Sequence, residues 1–236
     1  MLVTNKHVVK GAVKGSLAFL RAEPDGGQPL WGQGYLAEVP DDFEKIWYQH
    51  PDDNVDIAVT PFATVLRRTR KEVPLFFRAI DASLIPSKET LEELDALEEI
   101  IFIGYPSGIW DRKNLLPIVR KGITATPIAV DFDGERKFLV DASVFPGSSG
   151  SPVFLYNAGS YHDKKSNLVV GSRLLFLGIL TSVFYTKEEN EIRLVPAPTV
   201  DRPVAVSRQM IDLGVVYKWN LIMETVESRL RKYSEI

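Results

Sequence analysis

The stretch Phe145-Pro146-Gly147-Ser148-Ser149-Gly150-Ser151-Pro152 decides how the rest of the chain is read. Ser149 stands in a Gly-x-Ser-Gly-x-Pro turn between two β-prone runs, Phe138 to Ala142 and Pro152 to Tyr156. The flanking Gly147 and Gly150 supply the freedom in φ that a tight, hydroxyl-presenting turn demands. A serine hydroxyl is a poor nucleophile at neutral pH. It becomes an effective one only beside a base that takes its proton, a carboxylate that orients the base, and backbone donors for the oxyanion. Without those partners the octapeptide is a Gly/Ser/Pro loop between strands.

Partners for Ser149 are few, because the chain has only three histidines. His7 lies in the short β-prone segment Leu2-Val3-Thr4-Asn5-Lys6-His7-Val8-Val9, and Asp56 is the polar position of the otherwise apolar strand Val55-Asp56-Ile57-Ala58-Val59. A carboxylate entering an apolar strand needs a hydrogen-bonding partner, and the His7 imidazole would be one. His50, before Pro51 and the acidic run Asp52-Asp53-Asn54, reads as part of a solvated turn, and His162 sits in the polar tip Tyr161-His162-Asp163-Lys164-Lys165. Both remain rival bases, as Asp52 and Asp53 remain rival carboxylates.

The order His7, Asp56, Ser149, with separations of 49 and 93 residues, closely resembles that of the trypsin-like (chymotrypsin-fold) serine peptidases, especially their disulfide-free bacterial Deg-type members. The resemblance is carried by Thr4-Asn5-Lys6-His7, Asp56-Ile57-Ala58 and Gly147-Ser148-Ser149-Gly150-Ser151-Pro152; elsewhere it is one of pattern only. It implies two antiparallel β-barrels with a C-terminal helix and the site between the barrels. Ser149 would be the nucleophile, His7 the general base and then acid, Asp56 its orienting partner, and the N–H groups of Gly147 and Ser149 the oxyanion hole.

The same resemblance puts Ser143, six residues before the nucleophile, at the floor of the primary specificity pocket. An uncharged floor argues against cleavage after Lys or Arg. Thr181, Ser182 and Val183 would form the substrate-binding wall, with Val183 narrowing it toward small or medium apolar side chains, and a polypeptide substrate would pair along it as an extra strand. Ser148 stands where the digestive members carry Asp, so activation by a newly cut N-terminus is not expected and a regulatory partner or upstream segment takes its place. Only six residues precede His7, where the family has a further hairpin. The N-terminal barrel is therefore expected to be incomplete and the natural protein longer. That expectation also supports an alternative function, a catalytically inactive protease-like module that binds proteins. An esterase ranks behind both, because its Gly-x-Ser-x-Gly between strand and helix is absent.

Composition fits a globular domain: 236 residues, 45% hydrophobic, 10% aromatic, net charge −3. No Lys/Arg-rich region offers a nucleic-acid footprint. There are no cysteines, which excludes disulfides, thiolate metal sites and a Cys nucleophile and points to a reducing, cytoplasmic compartment. Secretion stays open because of the short N-terminus. No apolar run reaches membrane-spanning length, no zinc-type spacing occurs, and the proposed chemistry needs neither metal nor cofactor.

β-prone runs recur at Ser16 to Ala22, Gln33 to Val39, Val55 to Thr60, Ile100 to Tyr105, Phe138 to Ala142, Pro152 to Tyr156, Leu174 to Tyr185 and Ile192 to Val195, an all-β pattern. Ser87 can cap a short helix bearing Glu89, Glu92 and Glu93, within a linker at about Arg67 to Glu98. A second helix is expected from Val216 to Lys232, with Trp219, Ile222, Met223, Val226 and Leu230 as its buried stripe. The expected organisation is an N-terminal barrel over 1–82, a helical linker over 83–98, and a C-terminal barrel with its helix over 99–236. The basic cluster Arg67-Arg68-Thr69-Arg70-Lys71 reads as a solvated linker face.

Overall fold

The computed structural model describes residues 1–39, 41–69, 73–191 and 204–234, without the side chains of 68–69, 184–191 and 204–210. In chain order the N-terminal part holds β1 (Leu2–Thr4), a single helical turn α1 (Lys6–Val9), β2 (Gly15–Ala22), β3 (Pro29–Val39), β4 (Tyr48–Gln49), β5 (Ala58–Thr60), helix α2 (Phe62–Thr69) and β6 (Leu75–Phe76). After helix α3 (Lys88–Glu93) come β7 (Glu99–Gly104), β8 (Ile118–Thr124), β9 (Lys137–Asp141), β10 (Pro152–Asn157), β11 (Ser160–His162), β12 (Leu168–Val170), β13 (Arg173–Glu191), β14 (Val204–Lys218) and helix α4 (Trp219–Ser234).

Six strands close into an antiparallel barrel in the order β7, β8, β9, β14, β13, β10 and back to β7. The side-chain period of two fills its interior. Ile100 and Phe102 of β7, Phe138 and Val140 of β9, Val153 and Leu155 of β10, and Leu177 and Leu180 of β13 meet there, with Leu94 of the linker packed among them. The alternate positions Phe154, Phe176 and Ile179 point outward yet are also buried. They form a second core with Val55, Ile57 and Val59 of the N-terminal part and with Leu221 and Ile222 of α4. This outer core fixes the segment carrying Asp56 against the barrel wall that leads into the Ser149 loop.

Among the described residues the N-terminal strands form two three-stranded sheets, β1-β5-β4 and β3-β2-β6. Val9, Ala37, Val39, Phe43, Trp47, Ala58 and Val65 draw them around one shared core. Among the described residues one closed barrel is therefore present, and the N-terminal strands pair as two separate sheets.

The expected strands at Ser16, Gln33, Ile100, Phe138, Pro152 and Leu174 correspond to β2, β3, β7, β9, β10 and β13. The segment expected at Ile192 to Val195 lies outside the described residues, as do Arg70 and Lys71 of the basic cluster. Strands β4, β6, β8, β11, β12 and β14 lie outside the expected β-prone runs. In β8, Val119, Arg120 and Lys121 alternate exposed with half-buried positions, so the apolar run is broken. The capped linker helix forms, with the Thr90 N–H donating to Ser87 Oγ at 3.2 Å. The C-terminal helix starts later than expected, because Val216 and Tyr217 are held in β14 by pairing with Phe138 and Lys137. Its buried face is Leu221, Ile222 and Thr225, whereas Met223 and Leu230 of the expected stripe are exposed. Two surfaces, the barrel wall and β5, meet this helix and rotate its buried arc away from the stripe read on one face. Among the described residues no helix is long and apolar enough to cross a membrane.

Candidate active site

His7 is not on a strand. β1 ends at Thr4, and the chain turns at Asn5 into the four residues of α1, which carry His7 out of the sheet. Asn5 is fully buried and its Nδ2 donates to the Asp56 carbonyl at 2.8 Å. The His7 and Asp56 segments are thereby joined through backbone as well as side chain. Asp56 likewise lies just before β5 rather than inside it, in a turn where the Ile57 N–H bonds the Val55 carbonyl.

Three donors hold the Asp56 carboxylate. Its Oδ1 accepts from the His7 backbone N–H at 2.9 Å, and its Oδ2 lies 2.6 Å from His7 Nδ1 and accepts from Thr181 Oγ1 at 3.0 Å. A carboxylate can only accept, so the hydrogen of this close contact sits on Nδ1. In the neutral imidazole Nε2 then carries the lone pair, and this atom lies 3.1 Å from Ser149 Oγ. The Ser149 hydroxyl has a second acceptor, the Thr181 carbonyl at 3.2 Å. Asp56, His7 and Ser149, 142 residues apart at the extremes, form one hydrogen-bonded chain. His7 remains half open to solvent, with 51% of its side chain accessible.

The loop presenting Ser149 is held from both sides. Gly147 and Gly150 have φ of +89° and +81°, in the left-handed region that a side chain disfavours. Crowding adds to this, since a Cβ on Gly147 would lie 2.9 Å from the Tyr105 carbonyl oxygen and one on Gly150 3.2 Å from Thr4 Oγ1. The Gly150 N–H donates to Leu180 O, and the Leu180 N–H to Ser151 O, tying the loop to β13. The Ser148 and Ser151 N–H groups bond within the loop, whereas those of Gly147 and Ser149 have no acceptor among the described residues.

A cleft of about 440 Å³ opens at this point, lined by His7, Val144, Gly147, Ser149, Thr181 and Val183, with Ser182 and Asp56 also on its wall. Ser143, expected at its floor, is not among the lining residues. Val144 takes that place, because the chain leaves β9 at Asp141 and the Val144 N–H folds back onto the Ala142 carbonyl. Thr181 also differs from its expected role: its hydroxyl is engaged by Asp56 and its carbonyl by Ser149, so it supports the reacting groups rather than offering a free side chain.

The rivals lie elsewhere. His162 is exposed on β11. His50 is not in a solvated turn but 3% exposed, with Nδ1 accepting from the Asp52 N–H at 3.0 Å and Nε2 3.6 Å from Glu224. Helix α4 and the Arg136–Glu224 ion pair cover it, packing that a local sequence window cannot reveal. Burial pushes the His50 imidazole below its ordinary pKa, with the Glu224 carboxylate opposing the shift. Asp52 is exposed and caps its own loop, with Oδ1 accepting from the Asn54 N–H. Among the described residues no three His, Cys, Asp or Glu side chains cluster as metal ligands. Sequence reasoning passed over Asn5 as a functional residue, although its place inside Thr4-Asn5-Lys6-His7 was the available signal. Compared with known proteins, the chain matches no protein-family model and no curated protein.

Proposed function

We propose that this protein is a serine endopeptidase of the trypsin-like kind, hydrolysing peptide bonds through an acyl-enzyme on Ser149. The observation that carries the reading is the continuous Asp56–His7–Ser149 hydrogen-bond chain with a free Nε2 lone pair at the hydroxyl. In this reading Ser149 Oγ attacks the scissile carbonyl carbon as its proton passes to His7 Nε2. The carbonyl π pair moves onto oxygen, where the N–H groups of Gly147 and Ser149 receive the charge. Collapse breaks the C–N bond, the leaving amine takes the proton from Nε2, and the acyl group stays on Ser149. Water then attacks the ester with its proton going to Nε2, and the second collapse returns that proton to Oγ, releasing the acid. Asp56 holds the tautomer and balances the imidazolium throughout.

The finer architecture belongs to the same proposal: the closed barrel corresponds to the second chymotrypsin-type barrel, and the two N-terminal sheets to a reduced first one. The substrate is a polypeptide whose main chain lies along Thr181–Val183, with a small or medium apolar side chain entering beside Val144 and Val183. A non-catalytic protein-binding module would have no need of the 2.6 and 3.1 Å contacts around His7, and these favour the hydrolase. The test is labelling with a fluorophosphonate. The wild type reacts at one site and Ser149→Ala does not; equal labelling of both, or of neither, defeats the assignment.

A further inference from the structure

A second, larger cavity of about 640 Å³ lies away from His7, between strands β2 and β6 of the N-terminal sheet and the outer wall of the barrel at β7 and β10. Its walls are apolar, with Phe19, Phe76, Ile101 and Ile103 on the two sides and Tyr105 and Trp110 at one end, their rings in edge contact at 6.2 Å. One cation lines it: Arg78, whose guanidinium stacks on the Phe76 ring with its carbon 5.2 Å from the centroid. No carboxylate among the described residues pairs with Arg78. The size lies within the range of small-molecule sites, which are mostly apolar with a few polar groups that fix orientation.

The aromatic end of this cavity is the start of the turn Tyr105-Pro106-Ser107-Gly108, which reaches the Ser149 loop. The Ser107 N–H donates to the Pro146 carbonyl at 2.7 Å, and Ser107 holds a left-handed φ of +50° to do so. A peptide unit is planar and trans, so its C=O and the following N–H point opposite ways. Pinning the Pro146 carbonyl toward Ser107 therefore turns the Gly147 N–H away from that turn, and Gly147 is one of the residues that line the reacting cleft. If the Ser107 contact breaks, that peptide is free to rotate and the Gly147 donor is lost.

We propose that this cavity is an effector site for an apolar chain ending in a carboxylate, with the chain between β2 and β7 and the acid on Arg78, and that its occupation holds the Ser107 turn and thereby the Gly147 N–H. The coupling half of the inference rests on the peptidase reading, while the binding half does not. A ligand shifts the loop only by contacting the pinned arrangement better than the unpinned one, and contact with Tyr105 and Trp110 supplies that difference.

The test uses the full chain, both wild type and Ser149→Ala, with monomeric dodecanoate and dodecanol as probes. Calorimetry is expected to give one site, with dodecanoate bound roughly five-fold tighter than dodecanol and the preference gone in Arg78→Ala. Hydrogen exchange at the Ser107 amide slows about five-fold or more on saturation in both proteins, and fluorophosphonate labelling of the wild type accelerates by a similar factor. Equal affinity for the two probes, or a preference untouched by Arg78→Ala, overturns the site. Unchanged Ser107 exchange at saturation overturns the coupling. If dodecanoate binds and protects Ser107 in a protein that no fluorophosphonate labels, the effector site stands and the peptidase reading falls.

Discussion

Replacing Asp56 by Asn tests the reading at its most discriminating point, because the hydrogen bonds around the carboxylate dictate how the amide must sit. With its NH₂ at the Oδ1 position, the amide would face the His7 backbone N–H, now 2.9 Å from Oδ1, donor against donor. Leaving that N–H unpaired costs about 1–3 kcal/mol. With its NH₂ at the Oδ2 position, the amide donates to His7 Nδ1, its carbonyl keeps the His7 N–H, and the Thr181 hydroxyl rotates to accept. The second arrangement satisfies every group and prevails. It also moves the imidazole hydrogen to Nε2, so no lone pair faces Ser149. Loss of the base in a Ser-His-Asp site lowers kcat by about 10⁴, equivalent to roughly 5.4 kcal/mol of transition-state stabilisation. The expected result is a fluorophosphonate inactivation rate and peptidase kcat lower by about four orders of magnitude, with a urea midpoint close to wild type because no buried group is left unpaired. An Asp56→Asn protein retaining activity within ten-fold of wild type, with Ser149 still required, would refute the tautomer argument.

Other outcomes follow from separate parts of the molecule. Gly178 sits at the bulge where β13 shifts register against β10, and an added Cβ would lie 1.8 Å from the Tyr217 carbonyl oxygen of β14, which is backbone and cannot swing aside. Gly178→Ala should therefore destabilise by about 3 kcal/mol or more, read from denaturant unfolding; a cost below about 1 kcal/mol would mean the strands separate more easily than this packing allows. His50 is buried neutral with a lowered pKa, so the unfolded chain binds its proton first, near an ordinary value of about 6.5. Its contribution to stability is complete above that pH and is lost as pH falls below it. His50→Gln should flatten the fall in urea midpoint between pH 7.5 and about 5.5, and parallel curves for the two proteins would exclude His50 as the source. Asn5→Ala removes the donor to the Asp56 carbonyl and should lower kcat about ten-fold while leaving KM near its wild-type value. A KM effect alone would assign Asn5 to substrate binding instead.

Much of the fold could be read because strands with one buried face announce themselves by alternation. β7 alternates buried with more open positions, as do β2 and the Tyr35–Val39 end of β3, whereas β9 and β10 are legible as short continuous apolar runs buried on both faces; the expected bounds lie close to the observed ones except in β3, which begins at Pro29 rather than Gln33. The alternating signal failed where tertiary packing overrides it. β14 draws Val216 and Tyr217 into a ladder although their neighbours read as helix, and α4 turns toward two surfaces at once. The burial of His50 is invisible in its own stretch of sequence because its cover, α4, lies more than 160 residues further along the chain.

The residues by themselves determined the candidate chemistry. A hydroxyl in a glycine-flanked turn, an imidazole after Thr4-Asn5-Lys6 and a carboxylate opening an apolar run are local features whose meaning depends on side-chain type and spacing. Only the folded chain decided that the three side chains share hydrogen bonds, that Thr181 serves Asp56, that Val144 rather than Ser143 lines the cleft, and that the Ser107 N–H holds the Pro146 carbonyl. The reason is physical. Hydrogen bonds act over about 3 Å, and the strand pairings and outer core that bring distant residues that close are properties of the packed barrel rather than of any window along the chain.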